Sequence, residues 1–482
     1  MNPKSNISKI RMEVYTKVAE WALSAPLPIE VNEEVVDKLA SELLPCSFYN
    51  GRYEPEREMS ITKHRLRLAM GLQQGQVVNG IAEACNSCFA DMGAGKYFVT
   101  DLCQNCTSRL CQNNCPKKSI TFVNNRAFID KNSCVACGMC AKSCPYGAIR
   151  KAERPCVAAC GIGAVKFDEN DKIVIDAETC VSCGACLVAC PFGAIDDVTQ
   201  MLELINAIRT KDYPVIAMPA PALAGQFGPK ATPHHLKAAL LELGFSEVVE
   251  VALGADLVAQ EEAFEMIERY DEKIMTNSCC PAYLMAIKKK LPKLADRISH
   301  TKSPMRTLGA WVRKHREGKV INVFIGPCSA KKAEKTWGNE IDIVMTFEEI
   351  AAIFKASDID PMKKEIVDMK DATNIGRMFA RTGGVAGAVA EILEMEKYKE
   401  KYPVILINPT TLKGSLNTLK MEVNKAKKRE EFTLVEGMAC VDGCISGPGT
   451  IVPVNMGVRA LEKYVDEGRN NEMVKLEKQI TE

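Results

Sequence analysis

Ile274-Met275-Thr276-Asn277-Ser278-Cys279-Cys280-Pro281 runs a short apolar segment straight into a pair of cysteines. Two later stretches repeat the pattern. Val320–Ile325 leads into Gly326-Pro327-Cys328-Ser329-Ala330-Lys331-Lys332, and Phe432–Val435 leads into Glu436-Gly437-Met438-Ala439-Cys440-Val441-Asp442-Gly443-Cys444. Short apolar runs bounded by turn residues read as buried strands. Others are Pro214–Met218, Val248–Val251, Ile341–Met345 and Val404–Ile407, with helical stretches such as Leu236–Leu243, closed by Gly244, between them. Strands alternating with helices predict an α/β domain, where ligands gather beyond the carboxyl ends of strands. The cysteines stand at those ends. Four thiolates converging from these motifs would hold an iron–sulfur cube, with a fifth, Cys279, left over beside a ligand.

Apart from its sulfur the chain is ordinary. Hydrophobic residues make up 47% and charged residues 26%, so a sizeable core is possible. The length allows roughly three domains of about 150 residues. A net charge of +1 argues against nucleic acid or an anionic membrane surface as the main partner. No basic segment precedes an apolar h-region and no apolar run reaches about 18 residues, so a soluble, cytoplasmic protein is expected. The 22 cysteines are the anomaly. Clustered closely in a long chain, they read as metal ligands in a reducing, anaerobic compartment rather than as disulfides.

Residues 1–80 read as a helical segment holding only Cys46. Ser8 is placed to cap a helix with the stripe Ile10, Val14, Val18 and Trp21. A second stripe runs through Val35, Val36, Leu39 and Leu43, and Ser60 is placed to cap a third helix, on which His64 is exposed. Residues 81–196 hold sixteen cysteines. Cys134-x2-Cys137-x2-Cys140-x3-Cys144-Pro145 has the spacing of bacterial ferredoxins, in which the fourth cysteine serves the neighbouring cluster. Upstream lies a variant half, Cys103-x2-Cys106-x4-Cys111-x3-Cys115-Pro116. Cluster one is then Cys103, Cys106, Cys111 and Cys144, and cluster two Cys134, Cys137, Cys140 and Cys115. The pattern Cys111-x3-Cys115 through Cys144 returns as Cys156-x3-Cys160 through Cys190, giving cluster three as Cys180, Cys183, Cys186 and Cys160. Cluster four takes Cys156 and Cys190 with the upstream pair Cys85 and Cys88. Zinc also uses Cys-x2-Cys pairs, and Cys85 with Cys88 alone would suit it, but tandem seven-residue triads are not zinc spacing. Tandem ferredoxin-like (α+β) modules with four [4Fe-4S] clusters carry electrons and make no bonds.

Taken together, the three C-terminal motifs closely resemble the signature motifs of the [FeFe]-hydrogenases, over residues from about 213 to 455. The resemblance implies that 197–482 is a catalytic domain with an H-cluster at strand carboxyl ends. That group is a [4Fe-4S] cube bridged to a diiron unit with carbon monoxide, cyanide and a dithiolate bridge. It implies Cys280, Cys328, Cys440 and Cys444 as cube ligands, Cys444 also bridging, and Cys279 as the thiol that passes protons to the bridging amine. Lys331 matches the lysine that donates to a cyanide, and Met438 a methionine packed against the diiron unit. Glu262, Glu265 and Arg269 lie at i, i+3 and i+7 of a helix, behind Gly254-Ala255-Asp256-Leu257 as in the family, and Ser299 falls at the family's serine position. The implied proton order is Cys279, Glu262, Ser299, Glu265, Arg269, solvent. The implied reaction is the reversible conversion of two protons and two electrons to hydrogen. No flavin or nicotinamide motif is seen, since Thr382-Gly383-Gly384 reads as a helix start. A soluble ferredoxin or similar carrier is therefore the expected partner, together with the maturation proteins that the diiron unit requires.

The chain also departs from the family pattern. Gly326 stands where typical members have methionine, Ala222 replaces a serine, Tyr283 a tryptophan, and Pro448 interrupts a glycine run. It thus resembles a less typical subgroup, sometimes called group B. The same cube ligands would suit a hydrogen-sensing or regulatory homologue, or an iron–sulfur assembly factor or electron carrier lacking the diiron unit. Cys279, Lys331 and Met438, with the carboxylate stripe, weigh toward the enzyme.

Overall fold

The computed structural model describes residues 5–43, 54–72, 84–85, 96–151, 153–169 and 172–474. Cys46 and Cys88 lie outside the described residues.

Three helices open the chain: α1 (Asn6–Ser24), α2 (Glu33–Leu43) and α3 (Pro55–Ala69). The apolar stripes read from the sequence turn inward. Val14, Val18, Val36, Leu39 and Leu43 are buried in one core with Val215, Ile350 and Phe354 of the C-terminal region. Two caps differ from expectation. Ser5, not Ser8, caps α1, its side chain accepting the Ser8 N–H at 3.1 Å. Ser60 lies inside α3, because Pro55, with φ preset for the first turn and no N–H to lose, opens that helix earlier. His64 is not exposed: it is half-buried, Nε2 makes no hydrogen bond, and burial pulls its pKa down to about 4.

Short strands and one-turn helices build the cysteine-rich region. β1 (Tyr97–Val99) pairs antiparallel with β4 (Ile149–Lys151), β2 (Ile120–Val123) with β3 (Arg126–Ile129), and β5 (Val165–Phe167) with β6 (Ile173–Ile175). The helices are α4 (Leu110–Asn113), α5 (Met139–Ser143), α6 (Pro155–Ala159) and α7 (Ala185–Ala189). The internal repeat survives in detail. Cys134 Sγ accepts the Ala136 N–H and Cys180 Sγ the Ser182 N–H, each at 3.4 Å. Cys115, Cys160 and Cys190 each accept the amide four residues on, at 3.3, 3.1 and 3.3 Å.

Beyond α8 (Met201–Thr210) the texture is α/β. β7 (Val215–Pro219), β8 (Glu247–Val248), β10 (Ile321–Gly326) and β11 (Ile343–Thr346) form a parallel sheet in the order β11-β10-β7-β8. β9 (Ile274–Thr276), β12 (Val404–Ile407) and β13 (Phe432–Val435) form a second, in the order β12-β13-β9. Helix α9 (Pro233–Leu243) ends at Gly244 as expected. The run Val248–Val251 is not one strand: β8 stops at Val248 and Val251 begins α10 (Val251–Glu268). α10 is buried on most of its surface, and an apolar run from such a helix cannot be told from a buried strand by periodicity. Among the described residues no helix is long and apolar enough to cross a membrane.

α1 is held against α14 (Phe347–Ala356) by buried charges. Arg11 donates Nη1 to Glu348 Oε2 at 2.7 Å and Nε to Asp196 Oδ2 at 3.2 Å, and the Tyr15 hydroxyl donates to Asp196 at 3.3 Å. One step along, Lys332 Nζ sits 2.6 Å from Glu349 and 3.0 Å from Asp197. Burial works against both cations, but the carboxylates outweigh it and raise their pKa values. These two networks fix the segment that joins the cysteine modules to the sheets. Arg11→Met leaves Asp196 and Glu348 buried without a countercharge and is expected to cost about 3–5 kcal/mol, read as a lowered denaturant midpoint.

Candidate active site and electron path

Members of each expected cysteine group lie near one another among the described residues, Cys88 of the fourth group excepted because it lies outside them. Burial raises the Cys111 thiol, and Cys144, Cys106 and Cys103 add to it. Burial, then Cys134 and Cys115, raise Cys140, which lines a small cavity with Cys137. Burial, then Cys183, Cys180 and Cys160, raise Cys186. Burial, then Cys190, raise Cys156, and Cys85 shares an apolar cluster with Cys190 while its N–H donates to Ala194 O at 2.7 Å. Among the described residues no three His, Cys, Asp or Glu side chains are placed to hold one metal ion. A cube gives each cysteine its own iron, so its four sulfurs need not meet at a point.

Both sheets end at one cavity of about 80 Å³. Ala220 and Ala222 reach it from beyond β7, Cys279 and Cys280 from β9, Cys328 from β10, and Met438 and Cys440 from β13. Cys444 and Lys331 complete the wall. Native interiors tolerate few voids larger than a water molecule, so an apolar space with room for several waters, lined by six cysteines, is a seat for a bulky group. The donor set and the room fit a cube with a second unit beside it. Burial followed by neighbouring thiols pushes Cys328 up to about 12, while Lys331 opposes this. Burial and Cys280 push Cys444 up to about 11. Thiolates are the ligand form, so metal binding must release these protons.

Lys331 is no surface lysine. It lies on the buried helix α13 (Ala330–Glu334), where Nζ donates to Glu334 Oε2 at 2.6 Å and to Cys279 O at 3.3 Å. (Helices α11, Pro281–Lys290, and α12, Pro304–His315, precede it.) Burial alone would lower its pKa, but Glu334 and the thiols of Cys328 and Cys279 raise it, so the ammonium stays charged. Glu334, which a polar run concealed, is thus part of the site. Met438 is pinned by Ser415, whose hydroxyl donates to Met438 O at 2.9 Å and accepts its N–H at 3.1 Å.

Two departures from the family pattern acquire a physical reason. A Cβ on Gly326 would lie 2.5 Å from the Phe324 ring, which itself lines the cavity, so an aromatic side chain fills room that a larger residue 326 would need. Pro448 packs on the cysteine module: a Cβ on the left-handed Gly184 would lie 2.7 Å from its Cγ. Cys183, the residue before, lines the central cavity, and its thiol is pushed up to about 11 by burial, then Cys160, Cys180 and Cys280. Cys183 of the expected third group therefore abuts Cys280 of the C-terminal motifs.

A polar run leads away from Cys279. Asn277 Nδ2 donates to Cys279 Sγ at 3.0 Å, and its Oδ1 accepts the Gly437 N–H at 2.8 Å, which fixes the amide. Burial, then Glu262 and Cys280, hold the Cys279 thiol well above its ordinary pKa. Glu262 is fully buried, and Oε2 makes no hydrogen bond. Its Oε1 accepts from Thr301 Oγ1 at 3.3 Å; Thr301 Oγ1 is 2.8 Å from Ser299 Oγ; Ser299 donates to Glu265 Oε2 at 2.7 Å. Arg269 Nη1 donates to Glu265 Oε1 at 2.6 Å. Sequence reading missed Thr301, because it follows Ser299 on an extended segment and shares no helix stripe with the glutamates. The surface is reached at His300 as much as at Arg269: its side chain is 78% exposed with Nδ1 3.2 Å from Glu265, against 10% exposure for Arg269.

Burial raises the Glu262 carboxyl from 4.5 to about 7, its hydrogen bonds to the Ser278 N–H and Thr301 opposing. The native state therefore binds more protons than the unfolded state between those values, and stability falls as pH rises through them. Glu262→Gln should remove that fall and leave the variant roughly 3 kcal/mol more stable than the parent at pH 8, measured by denaturant titration of the apo chain at pH 5 and pH 8.

Residues 213–448 match the iron only hydrogenase large subunit, C-terminal domain; 127–150 match a 4Fe-4S binding domain and 154–194 a 4Fe-4S dicluster domain. Iron hydrogenase 1 of Clostridium pasteurianum is 28% identical over 392 residues, covering 69% of this chain and 67% of that one. The cytosolic Fe-S cluster assembly factor narfl of Xenopus tropicalis is 23% identical over 288 residues, covering 49% and 60%. A solved [FeFe]-hydrogenase HydA1 variant from Chlamydomonas reinhardtii covers 51% of this chain and 83% of its own at 21% identity, with a TM-score of 0.41. The chain spans about two thirds or less of the length of these curated relatives.

Proposed function

Starting from an [FeFe]-hydrogenase-like chain with ferredoxin-type 4Fe-4S domains, we propose that it catalyses the reversible conversion of two protons and two electrons to hydrogen. The observation that carries this reading is Cys279: a buried, neutral thiol in the cavity wall, close enough to feel the charge of Glu262, where a hydrogen-bonded run to the surface begins. Cys280, Cys328, Cys440 and Cys444 would hold an H-cluster, Cys444 shared with its diiron unit, and Lys331 and Met438 would face that unit. When bound, the H-cluster supplies the open iron position and the bridging amine at which hydrogen is made or split.

The chain's own residues supply protons, charge and dryness. Cys279 Sγ gives or takes a proton on the cavity side. Glu262, poised at about 7, exchanges it at neutral pH, since proton transfer is most efficient when donor and acceptor pKa values lie near the operating pH. Thr301 and Ser299 hydroxyls pass it to Glu265 by donating one hydrogen while accepting another. Glu334 keeps Lys331 charged, so that its ammonium would offset negative charge on a bound diiron unit. Apolar walls exclude water, so protons travel by the side-chain run. Clusters held by the third cysteine group beside the cavity and by the other groups would carry electrons to and from a ferredoxin-like carrier. Maturation proteins install the diiron unit, in an anaerobic cytoplasm.

Similarity to Fe-S assembly factors supports a second reading, a plain cube in the same cavity. Viologen-linked hydrogen evolution by the anaerobically matured chain separates the two. The hydrogenase reading predicts turnover that falls about 10²–10⁴-fold in Cys279→Ser with iron content kept. Thr301→Val should fall about tenfold or more, because one link of the relay is cut. No turnover by the parent chain would favour the assembly factor or carrier.

A further inference from the structure

The first cysteine module differs in charge and surface from everything around it. Between Lys96 and Arg154 there are ten lysines and arginines against three acids, a net +7 in a chain whose total is +1. The following segment, Pro155 to Asp196, holds two against six. Two of the three acids in the basic module are taken by the ion pairs Arg126–Asp101 and Lys151–Glu153. Lys117, Lys118 and Lys142 are exposed and form no ion pair among the described residues.

Large apolar side chains are exposed on the same module. Val135 is 57% exposed, Met139 47% and Leu110 40%. Helices α4 and α5 lie side by side, with Ser143 Oγ within 3.4 Å of Leu110 O and 3.0 Å of Met139 O, so Leu110 and Met139 stand on adjacent turns. Val135 and Lys117 both line the space enclosed by Cys115, Cys134, Cys137 and Cys140. Cys137 is the one exposed cysteine among those described. The other end of the array is covered: Lys289 donates to Cys180 O at 2.7 Å, and Pro448 seals Gly184.

We propose that this face is the electron port, and that it docks a small acidic electron-carrier protein directly over cluster two. The inference rests on the electron-path reading above and deepens it by naming the partner's chemistry and its landing site. An apolar centre excludes water where the two redox groups approach, and a lysine rim attracts a partner whose own redox group is ringed by carboxylates. Such a rim mainly raises the association rate and makes binding fall with salt, which suits a small, short-lived electron-transfer contact. A second copy of this chain is the wrong occupant, because two faces of the same strong positive charge repel. The step itself is a one-electron exchange: the carrier is oxidised as cluster two is reduced, or the reverse, and no bond or proton moves.

The test uses the full, cluster-loaded chain and a plant-type [2Fe-2S] ferredoxin of strong negative charge, with binding read by sedimentation at low and high salt. The proposal expects a salt-sensitive complex that weakens at least tenfold in K118E/K142E and severalfold in M139Q, with iron content retained. It expects no comparable loss in K427E/K428E, a remote exposed lysine pair carrying the same charge change. Equal affinity of K118E/K142E and the parent, equal weakening by the remote pair, or tighter binding of a DNA duplex than of ferredoxin would overturn it. Because binding is read without hydrogen turnover, a chain that docks the carrier but makes no hydrogen would remove the hydrogenase reading and leave this one standing.

Discussion

Parallel sheets deliver chemistry at one edge. Every strand of a parallel sheet ends on the same side, so loops that leave β7, β9, β10 and β13 are compelled to meet, although their residues are separated by up to about half the chain. That meeting creates the cavity with its thiols, and a dry cavity then dictates the state of every ionisable group beside it. Lys331 needs Glu334, Cys279 stays a thiol, and Glu262 is lifted to the range where it can trade protons at neutral pH. Burial, which looks like a cost at each group, is the common cause of the shifted pKa values around the cavity.

The same economy governs the joint between modules. Arg11 and Lys332 are buried with their acids, and such pairs contribute little net stability compared with apolar packing but are costly to break. They therefore act as locks: α1, the joining segment and α14 hold one relative placement. Pro448 against Gly184 and Cys183 at the cavity wall are the consequence, a fixed contact between the cysteine module and the cavity.

Much of this architecture is readable in the linear sequence because buried parallel strands write themselves as apolar runs. β9, β12 and β13 fall on the residues expected, and β7, β10 and β11 slip by one or two positions. Val248–Val251 misleads because α10 is buried on most faces and so looks locally like strand. The cysteine spacing and the helical stripe of Glu262 and Glu265 are local patterns and stay visible. Ion partners are not. Arg11 meets Asp196 and Glu348 from far along the chain, Glu334 hides in a run of lysines, and Thr301 enters the polar run only because an extended segment lies against β9. Such contacts belong to the fold, and no periodicity announces them.

The central claim is that the cavity holds a diiron unit beside its cube. Infrared spectra of the anaerobically matured chain, across the carbonyl and cyanide stretching regions under argon and then hydrogen, test it most directly. Bands that shift when hydrogen replaces argon are the predicted result. A featureless spectrum, after a maturation that loads a control hydrogenase, would contradict the claim and leave Cys280, Cys328, Cys440 and Cys444 as the ligands of a plain cube.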